Sequence, residues 1–188
     1  RAMNETGHVG LKEPFAGLFT KGMICHESYK DENGKWLYPE EMEKRSDGTA
    51  INGKTGKPVT VGRVEVMSKS KKNVVDPGRI IDAYGADTAR LFMLSDSPPE
   101  RDLEWTESGI DGAWRYINRL WSMIDTDDNQ VAKLLLAHST MPVKLTKGAE
   151  AIHRITHKTI AEVTDHLQRF AFNSAVAAIR KITNELID

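Results

Sequence analysis

Cysteine is almost missing: Cys25 is the single one in 188 residues. No internal disulfide can form, which excludes a stapled secreted miniprotein and points to a reducing compartment. Long apolar runs are missing as well. A stretch such as Leu134-Leu135-Leu136-Ala137 falls far short of the roughly 18 residues of a membrane-spanning helix. An excess of either charge is missing too, with 26 basic residues against 27 acidic ones. A balanced total gives no global field to gather nucleic acid, so any such contact must come from local clusters. No charged-then-apolar leader follows Arg1. Asn4-Glu5-Thr6 fits a glycosylation sequon, read as chance in a chain with no other mark of secretion. A cytoplasmic protein with no membrane role is the expectation.

What is present is a ten-residue stretch, Val66-Met67-Ser68-Lys69-Ser70-Lys71-Lys72-Asn73-Val74-Val75, followed by Asp76-Pro77. Three lysines and two serines fill five consecutive positions there, with no acidic residue among them. Backbone amides, hydroxyls and ammonium groups in a short loop suit a polyphosphate. Lysine offers phosphate a movable point charge where arginine would offer a rigid planar fork. A solvated basic turn has the same composition, and the loop by itself does not separate the two.

Turn residues divide the first third of the chain. Gly7, Gly10, Pro14, Gly17 and Gly22 deny residues 1–26 a long helix. One helical turn is expected over Phe15–Phe19 and a short buried strand over Gly22–Cys25. Gly7-His8-Val9-Gly10-Leu11 pairs a histidine with glycine, yet no strand-to-helix pattern surrounds it, so His8 is read as a loop residue. Residues 27–65 read as a small β-rich insert. Asn33-Gly34 is a two-residue hairpin signal, Lys35–Tyr38 and Val59–Val61 are candidate strands, and Pro39–Lys44 a candidate helical turn. Too little apolar area is available there for independent stability.

Beyond Pro77 the apolar period changes to 3.6. Asp76 before Pro77 spells an N-cap with proline in the first turn. Ile80, Ile81 and Tyr84 give that helix an apolar side, and Gly85 ends it. Ala86–Leu94 forms a second helix, stopped at Ser97-Pro98-Pro99. From Thr106 onward, Ile110, Trp114, Ile117, Trp121 and Ile124 follow a 4-3-4-3 spacing that predicts a core-facing stripe. A short helix is expected over Val131–His138 and a long one over 146–169. A last helix runs through Phe172, Val176, Ile179, Ile182 and Leu186, with Asn173-Ser174 near its cap. Amphipathic helices bury such stripes against one another, so residues 106–188 are expected to form a helical bundle. His153 and His157 share a helix face, but no third ligand has a sensible spacing, and no metal site is expected.

Met67-Ser68-Lys69-Ser70, followed by Lys71, Asn73, Val75, Asp76 and Pro77, resembles the KMSKS signature of class I aminoacyl-tRNA synthetases. Tyr84-Gly85-Ala86-Asp87-Thr88-Ala89-Arg90-Leu91-Phe92-Met93-Leu94, then Ser97-Pro98 and Asp102-Leu103-Glu104-Trp105, is similar to the sequel of that signature. Within the class, Glu13-Pro14-Phe15 through Thr20-Lys21-Gly22-Met23, and a small β-rich insert directly before the signature, resemble the bacterial-type leucyl-tRNA synthetases. The resemblance runs from about Glu13 to Trp121. The signature's first lysine is Val66 here, so only its second lysine carries over, onto Lys69.

The resemblance implies a mixed α and β chain, mainly α. The tail of a Rossmann-type catalytic domain would occupy residues 1–26, a leucine-specific-type insert 27–65, the loop with connecting helices 66–105, and an anticodon-binding-type bundle 106–188. The family's HIGH element, leucine pocket and editing domain have no counterpart in these residues, so a carboxyl-side portion of the enzyme, inactive alone, is expected. By the same resemblance the intact enzyme activates leucine with ATP and Mg2+ and charges tRNA(Leu), as a monomer with no tightly bound cofactor. Lys69 is the expected catalytic group. Met67, Ser68, Lys69, Ser70 and Lys71 are the expected ATP contacts, with Lys71 secondary and Met67 packing the loop down. Arg115, Arg119, Lys158 and Arg169, together with Lys133 and Arg154, are candidate tRNA phosphate contacts. No aromatics are interleaved with them, so base stacking is not expected. The isoleucine, valine or methionine enzyme of the class, or a non-catalytic RNA-binding module, are the alternatives.

Overall fold

In the computed structural model, residues 1–11, 13, 15–124 and 145–187 are described. One strand, β1 (Ile24–Lys30), is the spine of the first half. β5 (Thr60–Val66) lies antiparallel along one of its edges, from Cys25↔Val66 to Lys30↔Thr60. The other edge is shared by two short strands. β2 (Trp36–Leu37) pairs antiparallel with the end of β1, and β6 (Leu103–Glu104) pairs parallel with its start. The β1–β5 register slips between Glu27 and Tyr29. Gly62 faces that irregularity, where an added Cβ would stand 2.5 Å from Ser28 Oγ and force that hydroxyl aside, a close approach that favours glycine.

The hairpin signal at Asn33-Gly34 marks a real turn, but a longer one than two residues. Asp31 organises it, its Oδ1 accepting from Asn33 N at 2.9 Å and Lys35 N at 2.8 Å, the Asx-turn role of aspartate. Pro39–Glu41 forms one 3₁₀ turn, and the expected helical turn over Pro39–Lys44 stops there. Met42–Lys44 instead becomes β3, pairing antiparallel with β4 (Ala50–Asn52). Tyr29, Leu37, Ala50 and Val59 are buried together with Met42 packed against them. This cluster holds the insert to β1. The expected boundary between residues 26 and 27 therefore falls inside a continuous strand.

The only regular element before β1 among the described residues is the four-residue α1 (Ala2–Glu5). No helical turn forms over Phe15–Phe19. Phe15 and Leu18 are exposed, while the Phe19 ring stacks on Phe170 with centroids 5.0 Å apart. Phe19 also lines an apolar hollow with Met93, Leu94, Pro99 and Phe172, so side-chain packing rather than helical hydrogen bonding places it.

The helices follow their caps. Asp76 Oδ1 accepts from Gly78 N at 2.9 Å and opens α2 (Pro77–Tyr84) with proline in its first turn. Gly85, at φ 84°, ends α2 and starts α3 (Ala86–Ser95), a left-handed conformation that favours glycine. α4 spans Glu107–Ile124. Phe92, Leu103, Ile110 and Ala113 are buried together, with Ile24, Ile80, Tyr84 and Trp105 packed around them. α4 thus buries its amino-terminal part, while Trp114 is 44% and Trp121 67% exposed. The 4-3-4-3 stripe over-reads the buried face, because α3 meets α4 through Ile110 and Ala113.

Thr146 caps α5 (Lys147–Gln168) by accepting from Ala149 N at 3.2 Å. Phe170, at φ 57°, turns the chain into α6 (Phe172–Ile187). Asn173 and Ser174 fall in the first turn of α6, near its cap as expected. α6 packs along α5 and also against α3. The expected helix Val131–His138 lies outside the described residues.

Candidate functional site

Residues 67–76 connect the end of β5 to the start of α2, beside the first residues of β1. Met67 N donates to Ile24 O at 2.9 Å. The Met67 side chain lines an apolar hollow of about 250 Å³ with Ile24, Val75, Pro77, Ile80 and Trp105, which suits a packing role better than phosphate contact. Lys71 N to Ser68 O at 3.2 Å and Lys72 N to Lys69 O at 3.3 Å form two overlapping turns. Lys72 closes them at φ 55°. Lys69 sits on the crest and is exposed.

The three lysines are not equivalent. Lys71 Nζ is ion-paired with the Glu65 carboxylate on β5. Lys72 Nζ lies 4.8 Å from the Tyr38 ring centroid, over its face, an arrangement in which the ring quadrupole attracts the cation. Lys69 has no side-chain partner among the described residues. The Ser68 and Ser70 hydroxyls hydrogen-bond each other at 2.6 Å. Of the five expected ATP contacts, the structure therefore leaves Lys69 the uncommitted cation and Lys71 already engaged.

Asn73, to which sequence reasoning gave no role, is the base of the loop. It is 0% exposed. Its Oδ1 accepts from Ser68 N at 2.8 Å, and its Nδ2 faces His26 O at 3.2 Å, Glu65 O at 3.3 Å and Val66 O at 3.4 Å. Asn73 was marked in the sequence only as one residue following the signature and Glu65 not at all, because the contacts that define their roles join the loop to β1 and β5.

Hydrogen bonds from Lys71 and then Ser28 hold the Glu65 carboxyl below its ordinary range. A depressed carboxylate adds stability that is complete above its unfolded pKa and lost as pH falls through the folded value. Carboxyl NMR of Glu65 is expected to show a midpoint below that of an unpaired glutamate, rising towards the ordinary value in Lys71→Ala. An unmoved midpoint in that variant would break the assignment of the pair. Cys25 is buried, and burial, then the charges of Asp102 and Glu104, push its thiol pKa up, the opposite of a reactive thiolate.

The basic residues of the helical part form no shared hydrogen-bond or ion-pair network among the described residues. Arg119 Nη1 donates to Asn184 Oδ1 at 2.8 Å and ties α4 to α6. Lys158 lies 3.8 Å from Glu162, and Arg169 is paired with Asp165. Arg115 is exposed and has no side-chain partner among the described residues. Lys133 lies outside the described residues. His153 and His157 place their Nε2 atoms 3.1 Å apart, and no third metal-ligating side chain joins them among the described residues.

A family model described as tRNA synthetases class I (I, L, M and V) matches residues 60–106, which contain the whole loop. The leucine–tRNA ligase of Paramagnetospirillum magneticum is 61% identical over 186 residues, 99% of this chain and 21% of the relative. That of Rhodospirillum rubrum is 53% identical over 189 residues, again 99% of this chain and 21% of the relative. The chain is homologous to a segment of leucine–tRNA ligase. It spans about a fifth of the length of these ligases. Two solved structures share the fold. The Agrobacterium radiobacter K84 agnB2 LeuRS-tRNA-LeuAMS ternary complex aligns with a TM-score of 0.62 at 23% identity, over 99% of this chain and 19% of that one. Mycobacterium tuberculosis methionyl-tRNA synthetase bound by methionyl-adenylate aligns at 0.51 and 14% identity, over 84% of this chain and 59% of that one.

Proposed function

We propose that this chain is the part of a leucine–tRNA ligase that supplies the lysine loop for ATP activation, together with a portion of the tRNA-facing helices. The observation that carries the proposal is Lys69, an exposed and uncommitted ammonium on a crest whose stem is locked by buried Asn73. In the first step the leucine carboxylate attacks the α-phosphorus of ATP, the bond to the bridging oxygen breaks, and pyrophosphate leaves with that electron pair. Negative charge grows on the leaving oxygens as the bond opens. An ammonium that meets this charge lowers the barrier, an effect of roughly 2.7–4 kcal/mol for one preorganised donor. Mg2+ enters with ATP as part of the substrate, and no other cofactor is needed. In the second step a terminal ribose hydroxyl of tRNA(Leu) attacks the leucyl carbonyl and AMP departs.

A lysine serves here where arginine would not, because its flexible stem reaches a moving leaving group as a point charge. Ser68 and Ser70 hold the crest between them, and Lys71 and Lys72 stay on protein partners. Arg115 on α4, which has no partner among the described residues, is the foremost candidate for a tRNA phosphate. Arg119, Lys158 and Arg169 remain candidates that must first leave Asn184, Glu162 and Asp165. Such contacts position the RNA without reading its bases and weaken as salt rises. The ligase works as a cytoplasmic monomer on this reading. The 188 residues by themselves form no adenylate on this reading, since no second phosphate-binding loop accompanies the first among the described residues.

ATP–pyrophosphate exchange by the full ligase with leucine, isoleucine, valine and methionine in turn tests the reading. Exchange with leucine is expected to dominate. Faster exchange with one of the other three would reassign the chain within the class, and leucine-dependent exchange by residues 1–188 alone would overturn its place as a partial site.

A further inference from the structure

We propose that Asn73 is a positioning residue for adenylate formation, locking the stem of the loop so that Lys69 meets the leaving pyrophosphate in one geometry. This rests on the ligase reading above and extends it to a residue that touches no substrate. Every polar atom of the Asn73 side chain is spent on backbone. The oxygen faces the Ser68 N–H, and the amide hydrogens face the carbonyls of His26, Glu65 and Val66. That arrangement accepts on one side and donates on the other, a pattern that only a carboxamide supplies. It gathers the start of β1, the end of β5 and the first residue of the loop at a single point.

The loop is thereby closed into a ring from Ser68 to Asn73, with Lys69 riding on it. The other two lysines in that ring are tied down from outside, Lys71 by Glu65 and Lys72 by the Tyr38 ring. Asn73 belongs to neither apolar cluster of the fold. Its hydrogen bonds hold a loop stem and leave the packing of α3 and α4 to Phe92, Ile110 and Ala113. Once the stem slips, the Lys69 ammonium is displaced. A misplacement of about 1 Å in a positioned group typically costs about 10²-fold in rate.

The test is a double-variant cycle in the full ligase, read by leucine-dependent ATP–pyrophosphate exchange. Asn73→Ala is expected to lower kcat about 10- to 100-fold with the KM for leucine unchanged. Asn73→Asp should lose as much, because a carboxylate would face three carbonyl oxygens. Lys69→Ala combined with Asn73→Ala should be no slower than Lys69→Ala alone, since residues that act as one unit are non-additive. Losses that multiply in the double variant, or an Asn73→Asp enzyme at full rate, would overturn the proposal while leaving the ligase reading intact. Full activity in Lys69→Ala alone would remove the ligase role of the loop, and this proposal with it. Hydrogen exchange guards against misfolding: Asn73→Ala should expose the Ser68 amide and leave α3 and α4 protected. Loss of protection through those helices would make Asn73 a residue of the fold alone and overturn its positioning role.

Discussion

Lys69→Ala in the full ligase is expected to slow leucine-dependent ATP–pyrophosphate exchange about 10²–10³-fold, with little change in the KM for leucine. The split follows from where the charge is needed. On the proposed reading leucine is held elsewhere, and an ammonium that meets only the developing pyrophosphate acts on the transition state and not on the bound amino acid. Lys69→Arg should recover little, because the planar guanidinium cannot follow a leaving group as a point charge. Lys71→Ala should do less harm than Lys69→Ala, since Lys71 spends its charge on Glu65. Measuring kcat and KM for the three variants side by side checks the ordering. A Lys71→Ala loss larger than that of Lys69→Ala would exchange their roles, and an unchanged Lys69→Ala enzyme would leave the loop without its chemistry.

The parts that sequence reasoning reached are those whose causes are local. Asp76 and Pro77 open α2 and Gly85 closes it, because caps and left-handed glycines act within a few residues. Lys69 was singled out on equally local grounds, as one letter of a short contiguous pattern, and its role is a proposal. What escaped was long-range. Met42–Lys44 reads as the end of a helical turn until β4 pairs with it, and no window of that length contains the partner. Trp114 and Trp121 keep helical spacing and yet stay exposed, because which face of α4 is covered is decided by α3. Asn73 escaped most completely. Its partner at His26 is 47 positions away, and a buried asparagine in a lysine-rich turn looks in sequence like any solvated one. The same limit hid the partners that engage Lys71 and Lys72, which are Glu65 and Tyr38.

Phe92→Ala is expected to produce the largest loss of stability of any single truncation in the described fold, about 3–5 kcal/mol. The ring is 1% exposed and meets Trp105 edge-on, with centroids 5.0 Å apart and planes at 74°. Around it lie Leu103 of β6 and Ile110 and Ala113 of α4, so one side chain joins three elements. The site is also shaped to the ring, since a Cβ on Gly109 would stand 2.5 Å from Phe92 Cε2. Collapse into the space is hindered because Leu103 is pinned through backbone pairing with β1, which places the cost towards the upper part of the range. Phe92→Leu should restore a good part of the loss, as it refills most of the volume without the edge-on contact. Urea unfolding of the 188-residue chain reads the difference, and a loss below about 1 kcal/mol would mean that this cluster is not its core. The effect should also reach the loop. Ile80 and Tyr84 of α2 pack on the same cluster, and α2 begins where the loop ends. Truncating Phe92 is therefore expected to raise hydrogen exchange along α2 before global unfolding, while the Asn73 stem, held from β1 and β5, stays protected.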